Sequence, residues 1–233
     1  MLFLRSLLFF LLKTVLTIPF GLLALFLFVL PPLARYRAIA QWGRMVMWLA
    51  RVVVGIRYQV EGLENLPRDP CVVLAKHQSA WETIAFQSIF PPLSFVLKKN
   101  LLRIPFFGWG LALFSPIAID RGAGREAMKQ IEQQGKARLA GGFWVLVFPE
   151  GTRVAPGEKG NYQIGGPWLA SKAGVPVLPV AHNAGRLWPK NAFVKRPGLI
   201  TVVIGPPIPT LGRKPTQVLA DTESWIENTM ARL

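Results

Sequence analysis

The chain has 233 residues, which is enough for one compact domain and an additional segment. Its formal net charge is +15, and 52% of its residues are hydrophobic, a high share for a soluble domain. A basic, apolar chain favours anionic partners, and the apolar excess favours lipid over nucleic acid. The single cysteine, Cys71, excludes an internal disulfide and fits a reducing compartment. Its place in an apolar run predicts a small core residue.

The first segment, residues 2–34, is almost wholly apolar and is interrupted by Arg5 and Lys13. Residues 14–34 carry no charge, and that length can span a bilayer. Pro19 and Gly21 lie inside it and are able to kink a helix. Both a spanning helix and a re-entrant segment fit this pattern. No small-residue cleavage site follows, so we do not expect a removed signal peptide.

The second segment, residues 35–54, has the spacing of an amphipathic helix. Arg37, Arg44 and Arg51 recur every seven residues and share one face. The opposite face is apolar and consists of Ile39, Trp42, Val46, Leu49 and Val53. Such a helix either lies on anionic lipid or packs on a protein core, and the apolar anchor before it favours lipid. Residues 1–54 are therefore predicted to form a membrane-docking hairpin, with a separate domain over 55–233.

The rest of the chain alternates between strand and helix patterns. Strands are predicted over 56–60, 71–75, 94–97, 117–119, 143–148, 177–180 and 199–204, and helices over 79–90, 126–140, 167–173 and 216–232. Turn signals of the Asn-Gly type are absent between them. We therefore expect an α/β fold, with a mostly parallel central sheet flanked by helices.

Charged residues follow four of the predicted strands. The run Cys71–Ala75 ends at Lys76 and His77, and Glu82 follows five positions after the histidine. A histidine with a nearby carboxylate is the minimal general-base unit, because the carboxylate fixes the imidazole tautomer and stabilises the imidazolium. The alternative is that His77 caps a helix and Glu82 is solvated. A second cluster at Phe148–Arg153 favours the catalytic interpretation.

These stretches resemble the glycerolipid acyltransferase family. Its first motif, His, four residues and Asp, is matched by His77 to Glu82; its third, Phe-Pro-Glu-Gly-Thr-Arg, is matched in full by Phe148 to Arg153. The second motif corresponds to Lys98, Lys99 and the turn at 105–108, and the fourth to Val175 to Val180. The motifs occur in the family's order. The departure is Glu82, where the family commonly has Asp.

The resemblance implies transfer of a fatty acyl group to the free hydroxyl of lysophosphatidic acid (1-acyl-glycerol-3-phosphate), giving phosphatidic acid in phospholipid biosynthesis. The thioester donor is acyl-CoA or acyl carrier protein. His77 is then the base and Glu82 orients it. Because the acceptor hydroxyl attacks, no acyl-enzyme is expected. If the strands are parallel, the substrate-binding residues converge at one sheet edge; they are Lys99, Arg121, Glu150, Gly151, Thr152 and Arg153.

The cations at this edge suit a phosphate-bearing acceptor. Arg153 is the preferred clamp, followed by Arg121 and then Lys99, because a guanidinium binds two oxygens at once. Glu150 either accepts from a substrate hydroxyl or orients Arg153. The amide of Gly151 is free of side-chain obstruction and able to approach the thioester oxygen. His182 is expected to be structural.

We expect no metal, because neither histidine has cysteines or carboxylates at zinc spacing, and no cofactor beyond the acyl donor. The chain lacks a nucleic-acid recognition motif, so no nucleic acid is expected. Two alternatives remain open: an acyltransferase for another lyso-lipid, such as a lyso-ornithine lipid, and a non-catalytic lipid-binding protein. The expected location is the bacterial inner membrane, with the catalytic domain on the cytoplasmic side.

Overall fold

The computed structural model describes residues 1–104, 107–120 and 122–233. Its principal helices are α1 (Leu2–Leu27), α2 (Pro32–Leu49), α3 (Trp81–Ile89), α4 (Phe107–Ala112), α5 (Arg125–Ala140), α6 (Gly165–Ala173), α7 (Ala184–Leu187) and α8 (Pro215–Met230). The strands are β1 (Ile56–Glu61), β2 (Val72–Ala75), β3 (Leu93–Lys98), β4 (Ile117–Ile119), β5 (Trp144–Val147), β6 (Val177–His182) and β7 (Gly198–Ile204). All the predicted strands and helices are present.

The strands form one seven-stranded sheet in the order β1-β7-β6-β2-β5-β3-β4. Strands β6, β2, β5, β3 and β4 are parallel, which confirms the expected mostly parallel α/β sheet. Strand β7 runs antiparallel to β6, and β1 pairs parallel with β7. The short helix α7 and the connection at 188–197 reverse the chain between β6 and β7, instead of crossing over the sheet.

Helices cover both faces of the sheet because the central strands are apolar on both sides. In β2, Val73 and Ala75 belong to a core that includes residues of α1, α2 and α3. Val72 and Leu74 belong to a second core with residues of α5, α6 and α8. Cys71 is fully buried in the first core, as its position in the sequence predicts.

The N-terminal helices differ from the expected hairpin in two respects. The charge-free stretch 14–34 is not one segment, because α1 ends at Leu27 and α2 begins at Pro32. For residues 35–54, the sequence favours lipid over protein as the partner of the apolar face. That preference is wrong. Ile39 and Val46 are buried, and Val46 packs in the same core as the sheet. An apolar stripe suits lipid and protein equally, so its periodicity could not distinguish the two. The division into 1–54 and 55–233 stays a prediction.

The segment Leu2–Ala24 in α1 is long and apolar enough to cross a membrane by length and composition, and 11% of an 18-residue window within it is buried. Two contacts attach its first half to the rest of the protein. The Phe9 ring is fully buried and meets Trp188 edge-on at 5.3 Å between centroids. The Ser6 hydroxyl accepts a hydrogen bond from the Lys195 amide at 2.9 Å. Helix α1 is therefore docked on the protein, with most of its other side chains exposed.

Replacing Phe9 with alanine should loosen this docking. Removing a buried phenylalanine typically costs about 3–5 kcal/mol, through lost apolar burial and the cavity left behind. The control is Leu11→Ala at a nearby, 52% exposed side chain, which should change stability by no more than about 0.5 kcal/mol. Thermal unfolding of the detergent-solubilised chain measures both. Equal unfolding temperatures for the two variants would contradict the docking of α1 through Phe9.

Candidate active site

The carboxyl ends of four parallel strands, β2, β5, β3 and β4, lie side by side at one edge of the sheet. His77 follows β2, the segment Glu150–Arg153 follows β5, and Lys99 follows β3. The strand order thus brings three of the four predicted groups to one edge. Arg121, which follows β4, lies outside the described residues, as do Pro105 and Phe106 of the second motif.

His77 and Glu82 form the expected pair. The Nδ1 atom of His77 lies 2.8 Å from Oε1 of Glu82, so Nδ1 carries the proton when the carboxylate is ionised. The Nε2 atom makes no hydrogen bond with any described residue, and the side chain is 14% exposed. The neutral imidazole therefore offers the lone pair of Nε2 as a base at the surface of the site.

The turn between β2 and α3 explains how the longer arm of Glu82 reaches the ring. Glu82 lies in the first turn of α3, where the helix dipole favours a negative charge. Its Oε1 also accepts from the amides of Gln78 at 2.9 Å and Ser79 at 2.7 Å. The side chain is fully buried, which alone would raise its pKa, but His182, His77 and the Ser79 amide together hold the pKa of Glu82 below its ordinary value. The carboxylate is thus ionised at neutral pH.

Glu150 holds the main chain of the same histidine. Its Oε2 accepts from the His77 amide at 2.8 Å, and its Oε1 lies 2.7 Å from Nζ of Lys76. The side chain has no exposure. Burial raises the pKa of Glu150 above its ordinary value, despite Lys76 and the His77 amide. The side chain faces neither Arg153 nor the open edge, so the geometry favours a positioning role over the predicted contact with substrate.

Lys76, to which the sequence pattern assigns no role, links Glu150 to the C-terminal helix. Its buried ammonium lies 2.8 Å from Oε1 of Glu227 in α8 and donates to the carbonyl of Glu158 at 3.1 Å. The Tyr162 hydroxyl donates to the same Glu227 oxygen at 2.7 Å. The position of this lysine at the end of a fully apolar strand indicates carboxylates nearby, since a buried ammonium needs anionic partners. No sequence feature near Lys76 identifies Glu227 as one of these partners.

The segment Phe148–Arg153 packs directly on His77. The Phe148 and His77 rings are stacked at 3.8 Å between centroids, with 12° between their planes. The Val154 amide donates to the His77 carbonyl at 2.8 Å. Stacking fixes one face of the imidazole and the hydrogen bond fixes the backbone, so the third motif limits the orientation of the base.

The turn after Glu150 uses the amide that was expected to meet the thioester oxygen. Gly151 has a φ of +66° and its amide donates to the Phe148 carbonyl at 3.0 Å. The positive φ explains the glycine. The expectation that this amide is free to approach a thioester is therefore wrong, because it closes the turn. Thr152 is exposed at the same turn.

Arg153 is half-buried, and its guanidinium makes no ion pair or hydrogen bond with the part of the chain that the structure describes. The alternative in which Glu150 neutralises it is wrong, since Glu150 contacts Lys76 and the His77 amide. Lys99 is exposed in the 3-10 turn Lys99–Arg103, also without a partner among the described residues. Both cations are available to an anion at this edge.

His182 has the structural role that was expected. It is fully buried, its Nε2 donates to the Lys76 carbonyl at 2.8 Å, and its Nδ1 accepts from the Ala184 amide at 3.2 Å. Burial lowers its pKa below the ordinary value, so the ring is neutral. It supports the backbone beside His77 from within the core.

The comparisons with known proteins agree with this geometry. The profile of the Acyltransferase family matches residues 57–183, more than half of the chain. The chain belongs to the acyltransferase family. It is 50% identical to a 1-acyl-sn-glycerol-3-phosphate acyltransferase of Pseudomonas aeruginosa, over 98% of this chain and 91% of that protein. It is 31% identical to a 1-acyl-sn-glycerol-3-phosphate acyltransferase of Saccharomyces cerevisiae, over 72% of this chain and 58% of the yeast protein.

A solved structure resembles the whole of this acyltransferase. The crystal structure of the 1-acyl-sn-glycerophosphate (LPA) acyltransferase PlsC from Thermotoga maritima matches with a TM-score of 0.80 at 25% identity. The match covers 99% of this chain and 96% of that one. The likeness therefore includes the N-terminal helices as well as the sheet.

Replacing Glu82 with glutamine tests the pair. The glutamine carbonyl can still accept from the Gln78 and Ser79 amides, but it lacks the charge that stabilises the imidazolium. We expect kcat to fall by about a hundred- to ten-thousand-fold, with little change in either KM. Glu82→Asp keeps the charge and should retain more activity. Steady-state acyl transfer, with Glu61→Gln at an exposed carboxylate as control, measures this; full kcat in Glu82→Gln would exclude the pair from catalysis.

His182 should make the protein sensitive to mild acid. As the pH falls below the ordinary value of 6.5, the unfolded chain binds a proton that the folded protein excludes, because burial lowers the folded pKa. Stability therefore falls with pH, by at most about 1.4 kcal/mol per pH unit for one proton. His182→Gln keeps a donor toward the Lys76 carbonyl but cannot titrate. Its unfolding temperature should vary less between pH 7.5 and 5.5 than the wild type's, on the order of a few degrees; identical slopes would contradict this.

Proposed function

We propose that this acyltransferase moves a fatty acyl group from a thioester donor to the free hydroxyl of 1-acyl-glycerol-3-phosphate, giving phosphatidic acid. The observation that carries the proposal is the His77–Glu82 pair at the same edge of the sheet as Arg153, whose guanidinium has no partner among the described residues. The relatives from Pseudomonas aeruginosa and Saccharomyces cerevisiae are named for the same acceptor, 1-acyl-sn-glycerol-3-phosphate. Either acyl-CoA or acyl carrier protein fits as the donor.

The reaction needs one base and no enzyme nucleophile. The Nε2 atom of His77 takes the proton of the acceptor hydroxyl as its oxygen attacks the thioester carbonyl carbon. The new C–O ester bond forms, the C–S bond breaks, and the leaving thiolate takes the proton back from the His77 imidazolium. Glu82 holds Nδ1–H and stabilises the imidazolium between the two transfers. The enzyme returns to its starting state without a covalent intermediate.

The acceptor phosphate would bind to Arg153, with Lys99 and Arg121 as further cations. Arg153 is the best placed, because the amide of the next residue, Val154, is bonded to the His77 carbonyl. A guanidinium without a protein carboxylate can give its paired donors to a phosphate. Glu150 would contribute indirectly by positioning His77, and Thr152 is exposed beside Arg153.

We propose that the protein is membrane-associated through one leaflet. Helix α1 contacts α2 and the catalytic unit along its length: Phe9 meets Trp188, Thr17 accepts from Trp42 Nε1 at 3.0 Å, and Leu27 packs with Ile39. A helix attached at both ends cannot cross a bilayer without drawing polar surface into it. Most of the remaining apolar side chains of α1 are exposed, as are Met45 and Trp48 of α2 and Val52 in the turn that follows it, and these would enter the lipid. We also propose that the catalytic domain lies on the cytoplasmic side of the membrane.

A thiol-release assay tests the reaction and its acceptor together. Acyl-CoA and acyl-carrier donors are each offered with lysophosphatidic acid, lyso-ornithine lipid or monoacylglycerol. We expect rapid thiol release only with lysophosphatidic acid, because monoacylglycerol has the hydroxyl without the phosphate. Equal rates with monoacylglycerol would contradict phosphate recognition. Failure with every acceptor, in a folded membrane-reconstituted protein, would favour a non-catalytic lipid-binding protein.

Arg153 variants test the phosphate clamp. Arg153→Ala should raise the acceptor KM by roughly ten- to a hundred-fold, because a charged hydrogen bond contributes about 1.5–3 kcal/mol. Arg153→Lys should recover part of this, since it keeps the charge but loses the paired donors. The donor KM should hardly change. The control is Arg57→Ala, at an exposed arginine of edge strand β1; an unchanged acceptor KM in folded Arg153→Ala would remove phosphate recognition from this residue.

A further inference from the structure

The connection between α7 and β7, residues 188–197, meets the start of α1 at the surface. The Phe193 ring lies 5.4 Å from that of Phe3 and 6.0 Å from that of Phe10, between centroids. All three rings remain at least 40% exposed. We propose that this aromatic-basic patch, defined as Phe3, Phe10 and Phe193 with the cations around them, extends the bilayer-docking surface of α1 onto the connection at 188–197 and binds anionic lipid. It rests on the membrane association proposed above.

The charges around the patch are all of one sign in the sequence. No Asp or Glu occurs before Glu61, and none occurs between Glu158 and Asp221. The two segments that build the patch contribute Arg5, Lys13, Lys190 and Arg196 at the surface, and the buried Lys195 beneath it. Exposed aromatic rings among cations suit the headgroup region, where the rings enter the acyl boundary and the cations meet lipid phosphates. An anionic bilayer is therefore the partner that fits.

The lysines of the patch are arranged over aromatic rings. Lys13 Nζ lies 5.7 Å from the Phe10 centroid, and Lys195 Nζ lies 5.1 Å from Trp188 and 5.6 Å from Phe193. Lys195 also donates to the carbonyl of Phe193 at 2.7 Å, which fixes the loop beneath the exposed ring. Phe193 is thus presented by a braced loop. The hydrogen bonds of the connection therefore hold the Phe193 ring in its exposed position.

The same connection is bonded to both halves of the active site. The Ser79 hydroxyl donates to the Trp188 carbonyl at 2.5 Å, and the Ser79 amide donates to Glu82 at 2.7 Å. Lys190 Nζ donates to the Arg153 carbonyl at 3.1 Å. Lipid contact through this patch therefore places the base and the phosphate clamp next to the headgroups. The catalytic unit itself, and not only α1, contacts the surface from which the acceptor comes.

Single-cysteine labelling of the full chain tests the patch. Cys71 is fully buried and burial raises the pKa of its thiol, so an introduced surface cysteine is labelled alone. Phe193→Cys and Arg196→Cys report on the patch, the latter with Phe193 intact. Val15→Cys, 64% exposed on α1, reports on membrane association itself. Leu211→Cys, at a 79% exposed leucine near the opposite edge of the sheet, is the matched control.

Each labelled protein, carrying a polarity-sensitive fluorophore, is added to phosphatidylcholine vesicles with or without phosphatidylglycerol. Nitroxide-labelled lipid quenches fluorophores that enter the bilayer. We expect strong quenching at positions 15, 193 and 196 in the anionic vesicles and none at 211. Added salt should reduce quenching at 193 and 196 more than at 15, because screening weakens attraction of the cations to the surface.

The outcomes separate the two proposals. Quenching at 15 without quenching at 193 and 196 would overturn the patch and leave membrane association through α1 intact. No quenching at any position would overturn membrane association as well. Equal quenching at 193 and 196 in neutral and anionic vesicles would overturn the choice of an anionic surface. Quenching at 211 equal to that at 193 would also overturn the patch, since lipid contact would then not be specific to this face.

Discussion

Two buried carboxylates hold one histidine, and the rest of the site depends on this arrangement. Glu150 fixes the main-chain amide of His77, while Glu82 fixes its ring through Nδ1. The anions stay in the interior because each has charged or amide partners there: Lys76 for Glu150, and the Gln78 and Ser79 amides for Glu82. Removing one partner of a buried pair typically costs about 3–5 kcal/mol, because the remaining charge is left uncompensated. The His77 ring and main chain are therefore held in place without a substrate.

This use of carboxylates determines where the free cations lie. The chain has 27 basic and 12 acidic residues, and Glu82, Glu150 and Glu227 are engaged around His77 and Lys76. Among the described residues, Arg153 and Lys99 are consequently left without a carboxylate partner. Arg153 follows Glu150 by three positions, yet the two side chains have different partners. One short motif thus supplies an inward carboxylate that holds His77 and a cation that, in the proposed reaction, would meet the acceptor phosphate.

Sequence patterns predicted the parts of the site whose determinants are local. The five-residue step from His77 to Glu82 spans one turn and the start of α3, so the pair needed no long-range information. Apolar strands ending in polar clusters predicted convergence at one edge. Glu227 could not be predicted, because it meets Lys76 across 151 residues. The antiparallel β7 was missed because its direction depends on the path of the connection at 188–197. The hydrogen bond from the Gly151 amide to the Phe148 carbonyl depends on the turn geometry, which the motif sequence does not specify.

Helix α1 and the active site share a structural element, which relates anchoring to catalysis. Ser6 and Phe9 attach α1 to Lys195 and Trp188, and the Trp188 carbonyl in turn accepts from Ser79 beside Glu82. A displacement of α1 relative to the sheet would therefore act first on the turn that leads to Glu82. If the acceptor and product reside in lipid, as proposed, the proposed base needs a fixed height above the headgroups. Joining the anchor to the turn after β2, instead of to a flexible linker, sets that height by direct contact.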